Sequence, residues 1–118
     1  MKIKNTVRFK EINKYGVQFF AAVLSCELEL GLPITITSAN DSIHRPRSGR
    51  PSFHGLDQAW DVRINDIGEH EAARRAILLR IKLGYGWDVC IERFDNPAND
   101  HIHAERDTVN YPEVEDDN

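Results

Sequence analysis

Cysteine is scarce in this chain: Cys26 and Cys90 are the only two in 118 residues. They form no C-x-x-C pair, which excludes a zinc knuckle. One falls in an apolar helical pattern and the other in an apolar strand pattern. Both read as buried free thiols, with one disulfide as the alternative. Long apolar runs are also missing, so no segment is expected to insert in a membrane. The opening "MKIKNTVRFKEINKYG" has no apolar h-region and therefore no visible signal peptide. The expected location is cytoplasmic, released by lysis, or virion-associated. An excess of positive charge is lacking too: 15 Lys and Arg face 19 Asp and Glu, a net charge of −4. That argues against a general nucleic-acid binder. There are no repeats and no aromatic-rich surface pattern to support a wall-binding module.

What remains is ordinary globular composition, 41% hydrophobic and 29% charged. The length suits one domain, read as residues 1–110 with an acidic, frayed tail over 111–118. "KEINKYGVQFFAAVLSCELEL" predicts a helix near 10–30, with Ile12, Phe19, Phe20, Val23 and Leu24 at the spacing of a buried face. Gly31 and Pro33 stop it. "ITITS", Ile34 to Ser38, alternates as a strand does. The Pro-, Ser-, Gly- and Arg-rich "ANDSIHRPRSGRPSFHG" is a long loop of the kind that carries function or is disordered. "QAWDVRI" is a strand with Ala59, Asp61 and Arg63 on one face and Trp60, Val62 and Ile64 on the other. A second helix follows at about Ile67 to Leu83, capped by Asp66 with Glu69 and ended by Gly84 and Gly86. "WDVCIER" and "HIHAERD" are two more strands, joined by a turn containing "DNPAND". Short connections favour antiparallel pairing. The fold class is therefore α+β, with helices packed on one face of a small, mainly antiparallel sheet.

The chemistry gathers in two stretches. In "SFHGLDQAWD", His54 precedes Asp61 by seven residues. A carboxylate in an otherwise apolar strand is costly unless it is paired, protonated or bound to a metal. In "NDHIHAERD", His101 and His103 lie two apart, so on a strand both imidazoles look into one space. His54, Asp61 and one of His101 or His103 make a three-ligand zinc set with a fourth position open for water. Asp100, three residues before His103, is placed to act as general base. Taken singly, Asp61 reads as an outward Asp on an edge strand, and His54 and His44 read as solvated loop residues. His70 and Glu71 read as solvent-facing, and Arg74 in place of a second histidine excludes a zincin helix. Arg74, Arg75 and Arg80 read as helix surface, and Trp60 and Trp87 as core.

The pattern S-x-H-x-x-x-x-A-x-D (Ser52, His54, Ala59, Asp61) followed by H-x-H (His101, His103) resembles the zinc D-Ala-D-Ala carboxypeptidases and L-alanyl-D-glutamate endopeptidases. These act on bacterial cell walls and occur in phage endolysins, and they share a fold with the hedgehog signalling domain. The resemblance covers roughly Ile12 to Asp107. It implies that His54, Asp61 and His103 hold Zn²⁺, that Asp100 is the catalytic acid/base, and that His101 lines the cleft to hold substrate or oxyanion. The family's S-G-Y-R stretch corresponds to "SAND", Ser38 to Asp41, which has no arginine. Its glycine three after the first histidine is Asp57 here. Ser52 and at least one of Arg45, Arg47 and Arg50 are then expected to bind substrate, since arginine matches the carboxylates of stem peptides, with the other arginines solvent-exposed.

The function expected is thus a zinc metallopeptidase, a hydrolase that cuts an amide bond in peptidoglycan stem peptides. It would be a D,D-carboxypeptidase or an L,D-type endopeptidase, phage-encoded and serving cell-wall degradation. The competing expectation is a non-enzymatic zinc-binding domain of the same fold that acts as a phage structural or partner-binding protein. The missing S-G-Y-R arginine favours it.

Overall fold

The computed structural model describes residues 1–5, 7, 13–38 and 58–113. In chain order the elements are β1 (Lys2–Ile3), α1 (Lys14–Leu30), β2 (Thr35–Ser38), β3 (Ala59–Arg63), α2 (Glu69–Leu83), β4 (Trp87–Glu92) and β5 (His101–Arg106), with a short 3₁₀ turn at Pro97–Asn99 before β5. The strands form one sheet in the order β1-β2-β3-β5-β4. β1 runs parallel to β2 and all other pairs are antiparallel. The class is α+β with a mainly antiparallel sheet, as the sequence predicts, the β1–β2 pair being parallel. The parallel strand β1 is the element the sequence reading lacks: two residues show no alternation that a pattern could detect.

Period-two alternation sorts the sheet into a dry face and a wet face. Trp60, Val62 and Ile64, Val89, and Ile102 and Ala104 point into the core. There they meet α1 and α2 through Phe19, Val23, Cys26, Ala76 and Leu79. Trp60 is the centre of this packing. Its ring stacks on Phe19 at 5.2 Å and lies 5.7 Å from Trp87. Both tryptophans are thus core, as expected. Burying a residue of this kind contributes about 1.5–3 kcal/mol each, which fixes the register of the opposite face.

α1 starts where the Asn13 side chain accepts the Gly16 amide, and ends at Gly31 in the left-handed region, φ 70°. Its inward stripe is Gly16, Phe19, Ala22, Val23 and Cys26. Leu24, expected inside, is exposed, because position 24 falls a full step past that stripe. Ile12 lies outside the described residues.

α2 corrects two readings. Its N-cap is Gly68 with no side-chain cap, so Asp66 does not cap the helix. Arg75, expected on the surface, is 1% exposed. It sits on the inward stripe with Ala72, Ala76 and Leu79, and its guanidinium donates to the Arg63 carbonyl at 3.1 Å.

Both cysteines are free, but Cys90 is exposed: it alternates onto the wet face between Val89 and Ile91. The acidic end makes contacts with the fold as far as Glu113. Arg106 donates to the Tyr111 carbonyl at 2.6 Å and Tyr85 to that of Pro112 at 3.1 Å, while Glu113 pairs with Lys14 and Tyr15.

Candidate metal centre

The wet face presents its side chains in cross-strand rows set by register. Asp61 on β3 pairs with His103 on β5, which pairs with Cys90 on β4. One row along, Arg63 pairs with His101, which pairs with Glu92. Directly paired residues have Cβ atoms about 4.5–5.5 Å apart, so two adjacent rows deliver four polar side chains to one spot. Asp61, Glu92, His101 and His103 each offer one donor atom, all within 4.8 Å of one another.

The contacts close into a ring. Asp61 Oδ1 lies 2.9 Å from His103 Nδ1 and 3.6 Å from His101 Nε2. Glu92 Oε1 lies 2.7 Å from His101 Nε2 and 3.6 Å from His103 Nδ1. Nitrogen and oxygen therefore alternate around it. Each imidazole is also oriented from behind. His101 Nδ1 is 3.1 Å from the Asn99 carbonyl, which only accepts, so that nitrogen carries the hydrogen and Nε2 faces the ring. His103 Nε2 is 3.5 Å from Glu105. Partners of this kind, a carbonyl or carboxylate behind the imidazole, fix the orientation of metal-binding histidines.

Electrostatics agree with the geometry. Burial disfavours charge on His103, but its hydrogen bonds with Asp61 and Glu105 and the charges of Asp61 and Glu92 outweigh that, raising its pKa to about 10. His101 is raised as well: burial opposes its charge, while the Glu92 hydrogen bond and the Asp61 charge favour it. The bond from His101 holds Glu92 below the usual carboxylate range. In the metal-free chain the two carboxylates thus favour the protonated form of both imidazoles. The same four atoms could hold a metal ion in place of those protons. A tetrahedral site with bonds of ~2.0–2.1 Å has donor–donor edges of roughly 3.3 Å, close to the 2.7–3.6 Å contacts of this ring. A mixed imidazole and carboxylate set is one that first-row transition metals accept.

Of the sequence-predicted site residues, the structure brings Asp61, His101 and His103 together. Asp100 lies beside them, lining the same cleft as Asp61 and His101. Its carboxylate accepts the Phe94 amide at 2.8 Å and the Arg93 guanidinium at 3.1 Å, and these bonds hold it below its usual range. His54, Ser52, Arg45, Arg47 and Arg50, like His44, lie outside the described residues. Glu92 is the member that sequence reasoning missed. Its signal was present: in "WDVCIE" the residues Asp88, Cys90 and Glu92 alternate to one face, and the hairpin turn sets Glu92 opposite His101. Compared with known proteins, the chain matches no protein-family model and no curated protein.

Proposed function

We propose that this chain is a zinc-dependent peptidase acting on peptidoglycan stem peptides. The observation that carries the proposal is the four-atom ring of Asp61, Glu92, His101 and His103 beside a cleft of about 350 Å³. The H-x6-D and H-x-H motifs supply the reason for choosing peptide hydrolysis over other metal chemistry. When bound, zinc polarises a carbonyl and makes water a competent nucleophile at neutral pH. The chain's own residues do the rest. Asp61 and His103 would hold the cation with Glu92 and His101 beside it, and Glu105 and the Asn99 carbonyl would keep the two imidazoles aimed. Asp100, ionised and anchored by Arg93 and Phe94, accepts the proton of the attacking water and passes it to the departing amine. Each of its oxygens has two lone pairs, so these anchoring bonds leave acceptor capacity.

One observation favours a second reading. Four protein donors fill a tetrahedral shell, which is the pattern of structural zinc. On that reading the chain is a non-enzymatic zinc-binding domain. Purified peptidoglycan digested with the zinc-loaded protein, with and without chelator, separates the two. New free amines in the wall fragments, abolished by chelation and by Asp100→Asn, support the peptidase. Stoichiometric zinc with no bond cleaved leaves the structural reading.

A further inference from the structure

The cleft beside the metal ring has a cationic wall that the sequence reading did not assign. Arg63 stands on the wet face two residues beyond Asp61 and directly across from His101. Lys4, just past β1, lines the same cleft, as do Thr37, Phe94 and Asp100. Among the described residues, neither Lys4 nor Arg63 takes part in an ion pair, although Asp61, Glu92 and Asp100 all find cationic or imidazole partners nearby. These two cations line a polar cleft together with Asp61, Asp100 and His101 and have no ion-pair partner among the described residues. Cations of this kind favour an anionic group on a ligand that enters. Arg63 also presents the planar fork that matches a carboxylate. Phe94 forms an apolar wall, with its ring 5.1 Å from that of His101.

We propose that Arg63 and Lys4 form a subsite for a carboxylate of the ligand, orienting it so that the neighbouring amide lies over the Asp61 and His101 side of the cleft. This deepens the peptidase reading and rests on it for the identity of the ligand as a carboxylate-bearing peptide. It moves carboxylate recognition from the Arg45–Arg50 stretch to the sheet itself, where strand pairing fixes the position of the guanidinium relative to the metal ring. Rigid elements hold such constellations more tightly than loops do.

The test uses the zinc-loaded, ¹⁵N-labelled full chain. It is titrated by NMR with a peptidoglycan stem pentapeptide and with the same peptide carrying all its carboxylates as amides. The free acid is expected to bind at least about tenfold tighter than the amide. Arg63→Met and Lys4→Met, which keep the aliphatic volume, are each expected to remove most of that preference, a loss of roughly 10- to 100-fold for a charged hydrogen bond. Zinc content, checked by elemental analysis, should be unchanged. Arg63→Lys should keep part of the preference. Equal binding of acid and amide by the unmodified chain, binding of neither, or an undiminished preference in the double variant overturns the subsite. Hydrolysis of wall fragments without a carboxylate preference overturns the subsite alone. Selective carboxylate binding without any hydrolysis upholds the subsite and overturns the peptidase reading.

Discussion

Replacing Asp61 with Asn tests the ring at its most buried member. Asp61 is 5% exposed, and its Oδ1 touches both imidazoles, at 2.9 and 3.6 Å. Asn preserves shape and one acceptor but removes the charge. In the metal-free chain this weakens the charged hydrogen bond to His103, a loss of about 1.5–3 kcal/mol. The effect on zinc is larger. Mutating an outer-shell partner already weakens a metal site by about 10–100-fold, so removing a carboxylate donor should weaken binding by roughly 100-fold or more. Linkage converts this into a stability readout. Zinc at 100 times the wild-type Kd stabilises the wild-type fold by ~2.7 kcal/mol, whereas a site weakened 100-fold gains only ~0.4 kcal/mol at the same concentration. Urea unfolding followed by tryptophan fluorescence suits the measurement, because Trp60 and Trp87 both lie in the core. Each protein is unfolded once in chelator and once in zinc. A zinc increment in Asp61→Asn equal to that of wild type would refute the ligand assignment. Equal stability in chelator would refute the charged contact with His103.

Two further predictions concern the frame around the site. Gly86 has φ +83°, and a Cβ there would run into the Arg106 guanidinium; Gly86→Ala should therefore cost more than the ~1–3 kcal/mol of backbone strain that Gly84→Ala meets in open space, by about 1 kcal/mol or more of overpacking, and similar urea midpoints for the two would contradict this. Asp107 accepts the Asn110 and Val109 amides, which hold its pKa down; the folded pKa lies below the unfolded one, so its contribution of about 1–2 kcal/mol is present above pH ~4 and lost as pH falls through the folded value. The stability gap between wild type and Asp107→Ala should therefore hold steady from pH 6 to 5 and shrink below pH 4, and a gap constant into acid would exclude the mechanism.

The fold was legible where burial imposes a period. Phe19 and Val23 at helical spacing, and Trp60, Val62 and Ile64 at strand spacing, place two helices on one face of the sheet. The same alternation put Asp61 and Arg63 on the open face. Arg75 was misread because charge type was taken for location. Its stripe position decides, with its carbonyl contact to Arg63 offsetting part of the burial. Cys90 was misread because its apolar neighbours belong to the other face. Glu92 and Lys4 were not legible as site residues because their role depends on which strands are neighbours. Strand order β3-β5-β4 is a property of the whole chain, and it brings residues 61, 92, 101 and 103 together from three strands.

Asp61, Glu92, His101 and His103 form the group that could hold a metal ion. The direct measurement is metal content per chain by elemental analysis, after exposure to zinc and dialysis against a weak chelator, for wild type, His103→Ala and His101→Ala. About one zinc per wild-type chain is the expected result if the proposed zinc site is correct. The same site predicts near-complete loss in His103→Ala, whose Nδ1 contacts both carboxylates, and a marked loss in His101→Ala. A wild-type chain that retains no zinc, or a His103→Ala chain that retains all of it while remaining folded, would contradict the account.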